Sequence, residues 1–222
     1  MLGIRMRERI KVNPGVHQKD GKWFLRIDDR SDGVAIDPDI ASVIKASMWV
    51  EKHQRSNDIL RNYFQNINCH QVALFSAGVL RAEGMSERSN YEVSLFKLNE
   101  FKKYKTVAEF TEYLQRQLGN KLGVAQIIEL KSPVSEDISV STRLMHSFLA
   151  GVDPLGRVVC YEKRGARDPF RIVPLEKIFR ERWYQPPSDF AWAARPIEDI
   201  EGSEGAESAR REIEKITMAQ KP

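Results

Sequence analysis

The sequence predicts an α+β fold in which a helical N-terminal layer packs on an antiparallel β-sheet. Three observations predict it. Capped stretches with helical apolar spacing crowd the chain up to Asn120. Past them, a Pro-Gly turn in "VDPLGRVV" joins two apolar runs and marks a β-hairpin. With 222 residues, 41% hydrophobic and 9% aromatic, the chain can bury a core of one large domain.

Taken in order, "KWFLRI" mixes aromatic and branched residues between the turn signals "QKDG" and "RSDG", which predicts a strand over residues 22–27. In "DPDIASVIKASMWVEKHQ", Asp37 or Asp39 serves as cap and Pro38 takes a first-turn position. Ile40, Val43, Ile44, Ala46 and Met48 then follow at helical spacing. A second helix is predicted through "NDILRNYFQNI". The pattern restarts with Asn68 as cap, and Val72, Ala73, Phe75, Ser76 and Val79 recur helically until Gly78 and Gly84 weaken the run. "KTVAEFTEYLQRQLGN" carries Thr106 and Glu109 as a capping box and stops at Gly119. "GVAQIIEL" reads as a strand, "STRLMHSFLAGVDPLGRVVCYEKRG" as the hairpin, and "FRIVPLEKIFRERW" as a strand and short helix. The last core element expected is "WYQPPSDFAWAA".

Residues 1–195 are thus expected to form the domain, and residues 196–222 a flexible acidic extension with one helix near 206–218. Of the net +4, the extension holds seven acidic and four basic residues, leaving +7 on the body. The basic residues are interspersed, without a block of five, an RNA-recognition signature or finger spacing, so nucleic acid is not the expected partner. No run of about 18 apolar residues exists, and the N-terminus is charged every few residues, so neither a membrane span nor a signal peptide is expected. With two cysteines there is no disulfide framework, and the expected compartment is the cytoplasm.

The chemistry centres on "NINCHQVALF". A thiol of ordinary pKa, about 8.5, is mostly protonated at neutral pH, and a helix N-terminus or a neighbouring imidazolium pulls it down. Cys69 sits at a helix start. Neighbours on a helix point about 100° apart, so His70 is not expected to be its base and is read as a surface residue or a substrate contact at the cleft rim. His146 lies on a predicted strand. If Asp153 and Gly156 end the turn, paired positions sum to about 309, which sets His146 opposite Lys163 or, with a one-residue shift, Glu162. Cys69 as nucleophile, His146 as base and Glu162 as the group orienting the ring make a complete set. The oxyanion would take the backbone N–H of Cys69 and one further donor, for which Asn68, Asn66 and Gln65 are candidates.

This order, a cysteine opening a helix and a histidine 77 residues later at a strand with a polar partner on the next strand, resembles the NlpC-type branch of the papain-like cysteine hydrolases. "NCHQVALF" is similar to the nucleophile helix, and "HSFLAGVDPLGRVVCYEK" to the histidine strand and its neighbour, over residues 66–163. The resemblance implies a cysteine peptidase or amidase acting through a thioester on a peptide or amide substrate, with no cofactor. Where many members carry Asp-Cys-Ser, this chain carries Asn-Cys-His, so a cell-wall substrate is not implied. The first 60 residues and the extension have no counterpart in the family.

Other readings stand beside it. Cys69 is a buried small hydrophobe in one, and the chain a non-enzymatic protein-interaction module of the same fold. In another it is a basic nucleic-acid-binding protein. Cys69, His70, His146 and Glu162 are zinc-ligand types, but no pair has the usual close ligand spacing, so no metal is expected. Cys160, two residues from Glu162 on one strand, shares its face and is read as packing.

Overall fold

The structure is a computed structural model that describes residues 13–52, 67–79, 95–130, 142–165, 168–181, 190–200 and 211. The described residues form two antiparallel sheets and four α-helices, a mixed α+β arrangement. No helix among them is long and apolar enough to cross a membrane.

The first sheet holds β1 (Gly15–Lys19), β2 (Lys22–Arg26) and β3 (Val34–Ile36) in that order. The predicted strand is β2, and it has a partner on each side. Asp20 and Gly21, at φ 49° and 74°, make the two-residue turn between β1 and β2, and positive φ at both positions matches the twist of the paired strands. Helix α1 (Pro38–Lys52) starts where the Asp37 carboxylate accepts the backbone N–H of Asp39 at 2.7 Å. It buries Ile40, Ala41, Val43, Ile44 and Ser47. The helix expected through residues 57–67 lies outside the described residues except for Ile67, which is buried.

Helix α2 (Cys69–Ser76) precedes α3 (Val107–Leu118). At the start of α3, Thr106 accepts the N–H of Glu109 at 3.2 Å. The Glu109 carboxylate takes the N–H of Lys105 at 2.8 Å, one residue before the cap, so the expected box closes early.

The second sheet has β4 (Gly123–Leu130), β5 (Thr142–Val152), β6 (Val158–Lys163), β7 (Phe170–Pro174) and β8 (Phe190–Pro196), in the order β7-β6-β5-β4-β8, with α4 (Leu175–Arg180) after β7. Alternation of side chains along the strands gives it two faces. Val124, Leu149, Val159, Tyr161 and Ile172 pack with α1, α2 and the small sheet. Ala125, Ile127, Phe148, Cys160, Val173 and Trp192 pack under α3 and α4, where Phe179 stacks on Trp192 at 4.4 Å between ring centroids. The core runs past β8 through the buried Ile197 and Ile200, while the helix expected near residues 206–218 lies outside the described residues apart from Arg211.

The β5–β6 hairpin sets the geometry of the site. Gly156 donates its N–H to the carbonyl of Asp153 at 2.9 Å, so "DPLG" closes as expected, but Gly156 then adopts φ 77° and Asp153 N–H bonds the carbonyl of Arg157. The left-handed glycine acts as an extra residue. Strand pairing therefore begins at Val152 with Val158 and runs to Leu149 with Tyr161, one position away from the expected register. The side chain of Arg157 ties this turn to the first sheet, donating to Asp28 at 2.7 Å and Asp153 at 2.8 Å.

Candidate active site

Asn68 is extended at φ −93° and ψ −179°, and its side-chain oxygen accepts the N–H of Gln71 at 3.0 Å. Gln71 returns the bond, its side-chain oxygen accepting the N–H of Asn68 at 2.9 Å. This reciprocal box fixes the start of α2 at Cys69, whose first-turn N–H groups have no acceptor within the helix. The oxygen of Asn68 is spent on the cap. Gln65 and Asn66 lie outside the described residues.

His146 comes from β5, opposite Ile127 of β4, next to the point where the β4–β5 register shifts. Glu162 comes from β6, opposite Arg171 of β7. The β5–β6 register, continued from Leu149 with Tyr161, sets Glu162 level with Phe148, so Glu162 is diagonal to His146 on one face rather than directly opposite. The expectation placed Glu162 opposite by a shift in the other sense. The two registers differ by two residues, which leaves the face unchanged because the side-chain period is two.

His146 Nε2 hydrogen-bonds Glu162 Oε2 with both side chains 1% exposed. The second oxygen of Glu162 accepts from Arg171 Nε at 2.6 Å. Arg171 also pairs with Glu181, which reaches Arg164 Nε at 3.4 Å. The Cys69 thiol lies close enough to His146 and His70 for both rings to act on its ionisation. Its helix packs on one face of the sheet, and His146 pairs across the strands with Ile127, which packs on the other.

The electrostatics follow from these contacts. Burial pushes the Cys69 thiol up, but the donors that His146 and His70 offer it and the charge of His146 outweigh burial and bring it down to about 5. Burial disfavours the His146 imidazolium, yet bonds to Cys69 and Glu162 raise it to about 9. Glu162 is held below the ordinary carboxylate value by His146 and Arg171 against the opposing effect of burial. Cys160 shows what burial does without such partners: fully enclosed, with Glu162 and Glu176 adding negative charge, its thiol is pushed well above 9.0. Both cysteines are free thiols. Among the described residues, no group of three or more His, Cys, Asp or Glu could hold a metal ion.

His70 corrects the sequence-based expectation. It is buried at 5% exposure, not on the surface, and Nδ1 lies 2.8 Å from the hydroxyl of Ser147. Ser147 accepts from Gln126 Nε2 at 3.0 Å. Arg171, Ser147 and Gln126 escaped the sequence reading. Gln126 and Ser147 left a signal there, each a polar residue in an otherwise apolar strand, where a buried polar group must find a partner. Arg171 left none, since its role depends on β6–β7 pairing.

The chain matches no protein-family model, no curated protein and no solved structure.

Proposed function

We propose that this chain is a cysteine hydrolase of papain-like, NlpC-type architecture that cleaves an amide bond of a peptide or amide substrate, with Cys69, His146 and Glu162 as its catalytic set. The observation that carries the reading is a thiol at a capped helix start, within reach of a histidine whose Nε2 rests on a buried carboxylate. A cysteine that only packs would be raised by burial, as Cys160 is. The same arrangement of helix, histidine strand and neighbouring strand supports the architecture by resemblance.

The thiolate of Cys69 attacks the carbonyl carbon, and the electron pair moves onto the oxygen, which takes the backbone N–H of Cys69. His146, protonated on the nitrogen facing the sulfur, gives its proton to the leaving nitrogen. The C–N bond breaks and a thioester remains. Neutral His146 then takes a proton from water, the hydroxide adds to the thioester, and the collapsing intermediate releases a carboxylic acid and the thiolate. Glu162, fixed by Arg171, holds the ring in register for both proton transfers. An ester would follow the same steps, and an amine in place of water would give acyl transfer.

The test is the ionisation of Cys69, followed by ultraviolet thiolate absorbance and by iodoacetamide labelling with peptide mass spectrometry. Cys69 should ionise with a midpoint near about 5, while Cys160 should label only after unfolding. Equal and slow labelling of both thiols at every pH, with no thiolate signal below about pH 8, would end the hydrolase reading.

A further inference from the structure

Two imidazoles act on the Cys69 thiol, and the hydrogen bonds around the second assign it a different role. The backbone N–H of Leu95 can only donate, and it bonds Gln126 Oε1 at 2.8 Å. That orients the amide so that Gln126 Nε2, also a donor, faces the Ser147 hydroxyl at 3.0 Å. Ser147 therefore accepts from Gln126 and keeps its own proton for His70 Nδ1, 2.8 Å away. Were Nδ1 protonated instead, Ser147 would receive two donors, and its own proton would be left without an acceptor among the described residues in a fully buried place.

We infer that His70 is a neutral imidazole with its proton on Nε2, held in that tautomer by the relay from Leu95 through Gln126 and Ser147, and that it serves as a fixed hydrogen-bond donor to the Cys69 sulfur while His146 does the acid–base work. The inference rests on the hydrolase reading and deepens it by assigning the two histidines separate roles. Charge balance supports it. The Cys69 thiolate, the His146 imidazolium, the Glu162 and Glu181 carboxylates and the Arg171 and Arg164 guanidiniums sum to zero. A second imidazolium there would be a buried charge with no counter-charge of its own. A neutral donor stabilises the thiolate without adding that charge, and its proton is not lost as the reaction proceeds. His70 is then a catalytic residue, and Ser147 and Gln126 are positioning residues acting through it.

The experiment uses the full chain labelled with nitrogen-15 in histidine, together with the Cys69 ionisation curve. In the wild type, His70 should show a protonated Nε2 and an unprotonated Nδ1 at about pH 7, where the thiolate and the His146 imidazolium coexist. Ser147→Ala should lose the single-tautomer spectrum. His70→Leu should raise the proton affinity of Cys69 by about tenfold, and His70→Gln, whose amide can still donate, should recover most of that shift. A doubly protonated His70, or one protonated on Nδ1, overturns the inference without any variant having to fold. So does a Cys69 midpoint that stays put in both Ser147→Ala and His70→Leu, and in that case the hydrolase reading stands. An ordinary thiol midpoint in the wild type brings down the hydrolase reading instead, and the nitrogen spectrum still decides the tautomer.

Discussion

Glu162→Gln is the substitution for which the structure changes the expectation most. An amide accepts a hydrogen bond from an imidazole, so by chemistry alone it is a mild replacement for an orienting carboxylate. Here both oxygens are engaged, one by His146 Nε2 and the other by Arg171 Nε at 2.6 Å. A glutamine offers one acceptor and one donor, so whichever way it turns an N–H faces an N–H. The place is 1% exposed and has no bulk water to relieve the mismatch. An unpartnered buried donor costs about 1–3 kcal/mol, and removing one charge of a buried pair about 3–5 kcal/mol. Arg171 keeps Glu181, so part of its loss is recovered, and about 3 kcal/mol of destabilisation at pH 7 is expected. The same substitution removes one of the contacts that lift His146 to about 9, so the alkaline limb of kcat/KM should move to lower pH by about one unit. The acid side carries a sign of its own. Because the folded value of Glu162 is depressed, its contribution to stability is present above the ordinary 4.5 and is lost as pH falls through the folded value. The gap between wild type and Glu162→Gln should therefore narrow on acidification. Urea unfolding at pH 7 and below pH 4.5, with pH–rate profiles on a turned-over amide, measures all of this. A variant with wild-type stability at both pH values and an unmoved alkaline limb would show that another group orients His146.

Arg157→Met should destabilise by about 2 kcal/mol at neutral pH, because it removes the counter-charge of the buried Asp153, which keeps Ser31 and two backbone N–H groups, and unties the hairpin turn from Asp28. Both carboxylates are depressed in the fold, so this loss should fade as pH falls below their ordinary 3.8, and urea midpoints on either side of that value check it. Gly123→Ala should lose at least about 2 kcal/mol by thermal or urea unfolding, since the added methyl would come within 2.4 Å of the Arg195 carbonyl on the paired strand β8. Cys160→Ala should lose about 1–2 kcal/mol from the void under α3 and α4 and leave turnover unchanged, and a drop in kcat would implicate that face in the chemistry.

The helices were legible where their signals are local. Asp37, Asn68 and Thr106 each cap the helix that follows, and a cap is written within four residues of sequence. The small sheet was half hidden. Val34–Ile36 is too short to show a period of two, and "GVHQK" becomes a strand only because β2 pairs with it across the Asp20-Gly21 turn. The hairpin at "DPLG" was readable as a turn but not in register. Whether Gly156 closes the turn or stands beyond it as an extra left-handed residue depends on the strands it joins, and each outcome moves every cross-strand pair by one.

For the site, that uncertainty mattered less than it might have, because an error of two residues returns the same face. His146 and Glu162 could be named from sequence and still meet by a diagonal contact. His70 could not be placed the same way. The rule that adjacent helical residues diverge holds, but it sends one of them to solvent only when the helix has a solvent face, and every residue of α2 is buried. Divergence inside a closed core carried His70 to Ser147 and Cys69 to His146, leaving one thiol between two rings. Beyond them the side chains alternate in sign through Glu162, Arg171, Glu181 and Arg164, each carboxylate lying between two cationic partners once His146 is protonated. Well-packed apolar residues of the same volume would stabilise such a core as well or better. What they would not supply is a proton on His146 and a deprotonated sulfur beside it, and those are the two things the proposed acyl-transfer chemistry requires before a substrate arrives.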